Sequence, residues 1–173
     1  AYPFERLRQL FAGVTPPAHL RPISLGIGEP RHPAPQFVKD ALSAAMVGDS
    51  SGLSIYPPTG GDPAFKQACA SWLQSRYGLQ VDPATQVLPV NGTREALFAF
   101  AQTLIDPTRP GATVVCPNPF YQIYEGAALL AGATPFYAPV DPARTFAIAW
   151  DRVPADVWAR TQLLYVSSPS NPT

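Results

Sequence analysis

The spacing of hydrophobic residues changes along the chain and predicts where its helices and strands lie. As far as residue 85, apolar residues recur mostly at intervals of three and four, the period of a helix with one buried face. This spacing predicts helices over residues 2–14, 35–47 and 63–77. Gly48 is expected to end the second helix, while Asp62 caps the third helix and Gly78 closes it.

The later part of the sequence alternates short apolar runs with helical stretches. Strands are predicted over residues 87–90, 112–116, 134–140 and 162–166, and helices over 93–105, 121–131 and part of 150–160. An earlier run, Ile23–Pro30, is strand-like but is broken by glycines. Apolar strands joined by helices predict an α/β fold, a mainly parallel sheet with helices on both faces. Ligands bind beyond the carboxyl ends of the strands in such sheets.

Each predicted helix carries one apolar face, which we expect to be buried. The faces consist of Phe4, Leu7, Leu10 and Phe11; Val38, Ala41, Leu42, Ala45 and Met46; Phe65, Ala68, Cys69, Trp72 and Leu73; Leu97, Phe100, Ala101, Leu104 and Ile105; and Tyr124, Ala127, Ala128 and Ala131. The first helix is too short to be stable alone, so we expect it to dock on the body of the protein or on a neighbouring subunit.

Composition and charge narrow the classes of function. Apolar residues make up 46% of the 173 positions, and 12 Lys and Arg residues balance 12 Asp and Glu residues. Because basic side chains are not in excess, we expect no binding to nucleic acid or to a membrane surface. No apolar run is long enough to span a membrane. The 2 cysteines are not spaced as a metal site, which favours no metal and a reducing, cytoplasmic compartment.

A candidate anion site follows the predicted strand at residues 87–90. The pair Asn91-Gly92 favours a tight turn, and Thr93 begins the next helix. Free amides and the positive end of the helix dipole suit an anion, most simply a phosphate. The same residues also fit an ordinary turn and N-cap that binds nothing. Neither a Walker motif nor Gly-x-Gly-x-x-Gly is present, which argues against a nucleotide-binding domain.

Polar or aromatic residues follow predicted strand ends in three segments: Asn91-Gly92-Thr93-Arg94, Pro119-Phe120-Tyr121 and Ser170-Asn171-Pro172-Thr173. A phosphate cradle, an aromatic face for stacking and an amide for hydrogen bonding suit a flat, phosphorylated ring. A further segment, Tyr56-Pro-Pro-Thr-Gly-Gly, is too rich in Pro and Gly for a helix or strand. Two interpretations fit the phenol of Tyr56: an ordinary surface group, or a side chain that the rigid loop holds in a precise position.

The order of these segments resembles one enzyme family. Tyr56-Pro-Pro-Thr-Gly-Gly, Asn91-Gly-Thr-Arg-Glu-Ala-Leu, Asn118-Pro-Phe-Tyr and Ser170-Asn-Pro-Thr resemble the N-terminal half of class I/II aminotransferases. This resemblance implies the aspartate aminotransferase fold, which is fold type I of the transferases that use pyridoxal 5'-phosphate. Residues 87–100 and 116–132 more narrowly resemble the bacterial N-succinyldiaminopimelate aminotransferases. Those enzymes act in lysine biosynthesis, moving an amino group between glutamate and an N-succinyl-2-amino-6-oxo acid.

The resemblance implies roles for particular residues. Thr93 and Arg94 would bind the cofactor phosphate through backbone amides, Tyr121 would stack on the pyridine ring, and Asn171 would bond the 3-oxygen of that ring. Tyr56 would reach the phosphate of the other subunit's cofactor, which implies a homodimer. The substrates of such an enzyme would be small amino and oxo acids. Gly28 would line the substrate side of the site, where the backbone approaches the substrate carboxylate.

No catalytic residue is expected within the 173 positions. In the family, the Schiff-base lysine, the aspartate facing the ring nitrogen and the arginine that binds the substrate carboxylate follow the Asn-Pro turn, so we expect them beyond Thr173. The lysines present, Lys39 and Lys66, lie on ordinary amphipathic helices. We therefore expect residues 1–173 by themselves to show no transaminase activity.

The sequence begins without Met and stops directly after an apolar strand, so we interpret it as a fragment of a longer protein. Residues 1–50 are predicted to form the N-terminal arm and part of the small domain. Residues 51–173 are predicted to form the first part of the large, cofactor-binding domain, truncated at the Asn-Pro turn.

Other functions fit the same sequence. One is another fold type I enzyme with the same cofactor, such as an aromatic or aspartate-type aminotransferase or a carbon–sulfur lyase. Another is a non-catalytic effector domain that binds pyridoxal phosphate in a transcription regulator, although the N-terminal helix is too short and insufficiently basic to belong to a DNA-binding domain. Arg31 and His32 are best interpreted as a solvated loop pair.

Overall fold

The computed structural model describes residues 3–23, 25–47 and 52–171 of the chain. Its helices are α1 (Pro3–Phe11), α2 (Gln36–Ala45), α3 (Pro63–Tyr77), α4 (Thr93–Leu104), α5 (Ile123–Leu130) and α6 (Ala155–Arg160). Its strands are β1 (Thr113–Asn118), β2 (Thr134–Asp141), β3 (Ala147–Ile148) and β4 (Thr161–Leu164). The chain divides into two compact units, residues 1–56 and residues 57–173.

The sheet belongs to the second unit and has the strand order β3-β2-β1-β4. Strand β1 pairs in parallel with both β2 and β4, and the short β3 pairs antiparallel with the end of β2. The register places Cys116 opposite Tyr137, and Val114 opposite Leu163. The mainly parallel sheet predicted from the alternation of strands and helices is therefore confirmed.

Helices cover both faces of this sheet, as the sequence predicts. Successive residues of β1 point to opposite faces. Val114 and Cys116 pack with α4 and α5. On the other face, Val115 packs with Val153, which precedes α6, and with Val157 of α6. All three β1 side chains are fully buried. The central strand is thus enclosed on both faces, which explains its continuous apolar sequence.

The start of α3 matches the sequence prediction, but its buried face does not. The Asp62 carboxylate accepts a hydrogen bond from the Phe65 amide at 2.9 Å, which is the geometry of an N-cap. Phe65 and Trp72, which were predicted to be buried, are more than half exposed, and Ala70 is the buried residue of this helix. The spacing identified the helix correctly, and Cys69 and Leu73 of the predicted face are half-buried, but the other members of that face are exposed.

Helix α4 begins at Thr93, as predicted, and packs against α5. Ala101 and Ile105 are buried, and Leu97 packs on the same cluster. Phe100 and Leu104 were predicted on this face but are exposed, and Phe98 packs on the cluster instead. The predicted face of α5 is confirmed, since Tyr124, Ala127 and Ala128 are buried and Ala131 packs beside them.

One predicted strand and one strand-like run are not strands in the structure. Residues 87–90 form no ladder with any described strand, and Leu88 and Val90 are exposed. The apolar run at Ile23–Pro30, of which residue 24 lies outside the described part, has no regular structure and exposes Ile23, Leu25 and Ile27. An apolar run becomes a strand only where a neighbouring strand satisfies its backbone groups.

Helices α1 and α2 of the first unit were both correctly located by their apolar spacing. Their apolar faces were predicted to be buried, but Leu10, Phe11, Leu42 and Met46 are each at least half exposed, and α2 has no buried residue. The predicted end of α2 at Gly48 lies outside the described residues. In the part of the chain that is described, no helix combines the length and apolar character that crossing a membrane requires.

Candidate functional site

The N-terminus of α4 presents unpaired backbone amides. The first intrahelical hydrogen bond runs from the Ala96 amide to the Gly92 carbonyl at 3.2 Å, so the amides of Thr93, Arg94 and Glu95 precede it. No side chain caps this end of the helix, and the residues before it are exposed. Free amides at the positive end of a helix dipole suit an anion, and the anion site predicted from the sequence stays a prediction.

The backbone before α4 has a conformation that favours glycine. Gly92 has φ 106° and ψ 145°, a region that residues with a Cβ rarely occupy. This conformation directs the chain from the extended segment at residues 87–90 into the helix, and it thereby sets the direction of the amides. The Asn-Gly sequence before the helix is thus explained by the backbone that the turn needs.

Two residues that the sequence analysis assigned to different segments meet at this end of the sheet. The guanidinium carbon of Arg94 lies 5.9 Å from the centre of the Tyr121 ring, within the range of a cation–π contact. Tyr121 follows β1, and its side chain is 38% exposed. The carboxyl end of β1 and the N-terminus of α4 therefore form one surface with a cation, free amides and an accessible aromatic ring.

A buried pair of tyrosines lies beneath this surface and was not recognised in the sequence as part of a site. The ring of Tyr121 meets the ring of Tyr124 edge to face, with centres 6.0 Å apart, and Tyr124 stacks on Tyr165 with centres 4.3 Å apart. Burial raises the pKa of the Tyr165 phenol, which keeps its proton and donates a hydrogen bond to the Leu97 carbonyl at 2.7 Å. The signal available in the sequence was a tyrosine within the apolar run at residues 162–166.

A second aromatic contact holds the loop that carries Tyr121. Phe120 stacks on Tyr137 of β2, with ring centres 5.2 Å apart and planes inclined by 16°. The Tyr137 phenol donates a hydrogen bond to the Glu125 carboxylate of α5, and this bond raises the pKa of Tyr137 to about 12. The loop after β1 is therefore tied to both β2 and α5.

The two thiols of the chain differ in their surroundings. Cys116 is fully buried in β1, and burial, with a smaller effect of the Glu125 charge, raises its pKa to about 12. Cys69 on α3 is partly exposed, and both thiols are free. This agrees with the expectation of a buried thiol at Cys116, whereas Cys69 is less buried than predicted.

We expect alkylating reagents to distinguish these thiols in the native full-length protein. Only the thiolate reacts, and a pKa near 12 leaves roughly one part in ten thousand of Cys116 ionised at pH 8. Iodoacetamide at pH 8, followed by peptide mass spectrometry, should modify Cys69 long before Cys116. The two rates should become similar in denaturant, and equal rates in the native protein would contradict the burial of Cys116.

Three of the residues assigned by resemblance are exposed. Tyr56 and Gly28 belong to the first unit, where the Tyr56 side chain is 97% exposed and nothing lies within 4 Å of a Cβ added to Gly28. Asn171 follows β4 and is exposed, and no hydrogen bond or ring contact among the described residues joins its side chain to Arg94 or Tyr121. Their roles remain predictions.

The lysines have ordinary surface partners. Lys66 donates from Nζ to the Ala84 carbonyl at 3.0 Å, and Lys39 lies 3.4 Å from the Gln36 side-chain oxygen. Arg31 pairs with Glu29 at 3.7 Å on an exposed loop, as expected of a solvated loop pair. Within the described residues, no group of acidic, histidine or cysteine side chains is arranged to hold a metal ion.

Comparison with known proteins shows the family. Residues 21–173 match the family model for aminotransferase class I and II, so the chain belongs to the class I and II aminotransferases. A solved aminotransferase from Neisseria meningitidis is similar in structure, with a TM-score of 0.86 and 45% identity over 99% of this chain and 43% of the other. The fold is thus that of fold type I, as the sequence predicts.

Two relatives have more specific names. An LL-diaminopimelate aminotransferase from Dehalococcoides mccartyi is 33% identical over 87% of this chain and 38% of its own length. The solved N-succinyldiaminopimelate aminotransferase from Mycobacterium tuberculosis is also 33% identical, with a TM-score of 0.75 over 86% of this chain and 38% of the other. The chain therefore spans about two fifths of the length of these relatives.

Members of this family depend on pyridoxal 5'-phosphate. The residues at the N-terminus of α4 and on the loop after β1 fit that cofactor. The free amides of Thr93 and Arg94 and the Arg94 cation suit a phosphate dianion. The accessible Tyr121 ring next to them suits a flat pyridine ring. The two segments that were predicted to hold the phosphate and the ring therefore lie side by side.

Proposed function

We propose that the full-length protein is an aminotransferase that uses pyridoxal 5'-phosphate, and that the surface formed by α4 and the loop after β1 binds the cofactor. The contact between Arg94 and Tyr121 carries this proposal, because it joins the predicted phosphate site to the predicted stacking residue. Family membership supports it independently.

The residues of this chain would hold and orient the cofactor. Thr93 and Arg94 would donate backbone amides to its phosphate, and Tyr121 would lie against its ring. When bound, pyridoxal phosphate is an electron sink that stabilises the charge left on the α-carbon of the substrate after proton loss. By holding the phosphate and the ring at the same time, these residues would limit the rotation of the bound cofactor.

Three further roles extend this proposal. Asn171, on the loop after β4, would donate its amide to the ring oxygen. Tyr56 would bind the phosphate of the other subunit's cofactor in a homodimer, and Gly28 would line the substrate side. In the domain arrangement that we propose, residues 1–50 form the N-terminal arm with part of the small domain, and residues 51–173 begin the large domain.

Proton transfer would depend on a lysine from elsewhere in the full-length protein. Lys39 and Lys66 both contact groups on their own or neighbouring surface segments, as ordinary surface lysines do. A biosynthetic enzyme of this kind would act in the cytoplasm, where the free thiols Cys69 and Cys116 would stay reduced.

For the substrate, we propose an N-succinylated 2-amino-6-oxo dicarboxylic acid with glutamate as the amino donor, a reaction of lysine biosynthesis. The sequence resemblance at residues 87–100 and 116–132 supports this substrate, and so does the solved relative from Mycobacterium tuberculosis. The unsuccinylated LL-diaminopimelate is the second candidate, because the relative from Dehalococcoides mccartyi is named for it.

The reaction can be tested in reverse with purified full-length protein. We expect glutamate to form from 2-oxoglutarate with N-succinyl-LL-diaminopimelate, with a kcat/KM about tenfold or more above that for LL-diaminopimelate. The opposite preference would establish the second candidate. Release of ammonia from a sulfur-containing amino acid, without formation of glutamate, would indicate a carbon–sulfur lyase. Cofactor binding without turnover of any amino acid would indicate an effector domain.

The proposed role of Tyr56 gives a separate prediction. A hydrogen bond from a phenol to a phosphate contributes about 1.5–3 kcal/mol, so Tyr56→Phe should raise the dissociation constant for pyridoxal phosphate about 10- to 100-fold. Tyr77→Phe is a matched control, because Tyr77 is an exposed tyrosine at the end of α3. Spectroscopic titration of the full-length apoprotein measures both constants. An unchanged constant in Tyr56→Phe would remove Tyr56 from the site.

A further inference from the structure

A continuous set of aromatic contacts connects the stacking residue of the site to the helix that would hold the phosphate. Tyr121 meets Tyr124 edge to face, Tyr124 stacks on Tyr165, and Tyr165 donates to the Leu97 carbonyl. Leu97 lies one helical turn after Thr93 on α4. We call Tyr124 and Tyr165 the buried tyrosine pair.

The geometry points to the buried tyrosine pair as a positioning device, which fixes the Tyr121 ring relative to the N-terminus of α4. The inference rests on the proposed function, in which Tyr121 stacks on the cofactor. It adds two residues, Tyr124 and Tyr165, that would not touch the cofactor themselves and would act through Tyr121.

Tyr121 needs such support because it lies on a loop. Its side chain is 38% exposed, and its ring contacts Arg94 and Tyr124. The edge-to-face contact, with planes inclined by 86°, is the preferred geometry of an aromatic pair and limits rotation of the Tyr121 ring. A stacking side chain that is already oriented loses less entropy when the cofactor binds.

The pair itself is buried and closely stacked. Tyr124 is 6% exposed and Tyr165 is 4% exposed, and their rings are nearly parallel, inclined by 10°. The hydrogen bond from Tyr165 to Leu97 joins residues that are 68 positions apart in the chain. Because the acceptor belongs to α4, a shift of the Tyr124 and Tyr165 rings would be a shift relative to the phosphate site.

The test uses the full-length protein and a double-mutant cycle. Tyr165→Leu removes the ring stack, and we expect it to raise the dissociation constant for pyridoxal phosphate about three- to tenfold. In the Tyr121→Ala background, the same substitution should change the constant by less than about twofold, because its effect passes through Tyr121. The visible circular dichroism of the bound cofactor, which reports how its ring is held, should weaken in Tyr165→Leu.

Val157→Ala is the control for loss of stability alone. Val157 is buried on the opposite face of the sheet, in the cluster of Val115, Ala138 and Val153. The Val157→Ala substitution should lower the unfolding midpoint, and it should leave the dissociation constant for pyridoxal phosphate and the dichroism of the bound cofactor unchanged. If Val157→Ala weakens the cofactor as much as Tyr165→Leu does, or if Tyr165→Leu acts equally in both backgrounds, the positioning role is wrong.

Tyr165→Phe is the variant to use if Tyr165→Leu does not fold. It keeps the ring stack and removes only the hydrogen bond to Leu97, so we expect the constant to rise about twofold and the dichroism to weaken. No change in either quantity would overturn the inference. Failure of the unmodified protein to bind pyridoxal phosphate would instead overturn the proposed function, so the two failures are distinguishable.

Discussion

Replacing Gly61 with alanine is expected to destabilise the full-length protein by about 2–4 kcal/mol. Gly61 has φ 85°, and a Cβ added there would lie 2.6 Å from Pro89 Cδ and closer still to Pro89 Cγ. The proline ring cannot move aside without moving its backbone, so left-handed strain and overlap act together. The substitution would displace either the loop at residues 57–62 or the segment that leads to Gly92.

The neighbouring glycine provides a matched control for this prediction. Gly60 has no atom within 4 Å of an added Cβ, and its φ lies outside the left-handed region. Gly60→Ala should therefore change the free energy of unfolding by less than about 0.5 kcal/mol. Urea denaturation of both variants measures the difference, and equal midpoints would contradict the close approach of Gly61 to Pro89.

Gly92→Ala is expected to weaken the binding of pyridoxal phosphate about 10- to 100-fold. Nothing lies within 4 Å of a Cβ added to Gly92, so the substitution causes no overlap. Its effect would come from the backbone, because a φ of 106° costs an alanine about 1–3 kcal/mol. Relief of this strain would rotate the turn before α4 and turn the amides of Thr93 and Arg94 away from the phosphate.

Gly126→Ala tests the same substitution where the backbone permits it. Gly126 lies within α5, and an added Cβ there meets no atom within 4 Å. Alanine should stabilise this helix by about 0.5–1 kcal/mol and leave the cofactor constant unchanged. Cofactor titration and thermal unfolding of both variants give the two comparisons. Gly92→Ala with unchanged cofactor affinity would exclude the α4 N-terminus as the phosphate site.

Local signals predicted the elements well wherever the chain itself supplies their partners. The cap at Asp62 and the start of α4 at Thr93 were both predicted correctly from the sequence, because the residues that form each feature are within four positions of each other. The parallel sheet was also readable, since β1, β2 and β4 are apolar runs joined by helices.

The sequence was less informative where the fate of a hydrophobic pattern depends on which other element packs or pairs with it. The apolar faces of α1 and α2 were identified, but periodicity does not show what covers a face, and the docking surface expected for α1 stays a prediction. Residues 87–90 have strand-like residues without a paired strand among those described. On α4, Phe98 replaced Phe100 in the packed cluster, because the orientation of the helix against α5 decides which neighbouring residues meet it.

The sequence by itself determined the family, the cofactor and the turn at Asn91-Gly92, because those depend on residue types in a fixed order and on local backbone preferences. Only the tertiary structure brought Arg94 to the ring of Tyr121 and revealed the buried tyrosine pair. Leu97 and Tyr165 are 68 positions apart, and no local preference encodes their hydrogen bond. It forms because β4 lies next to β1, beneath the helices α4 and α5 that pack on that face of the sheet.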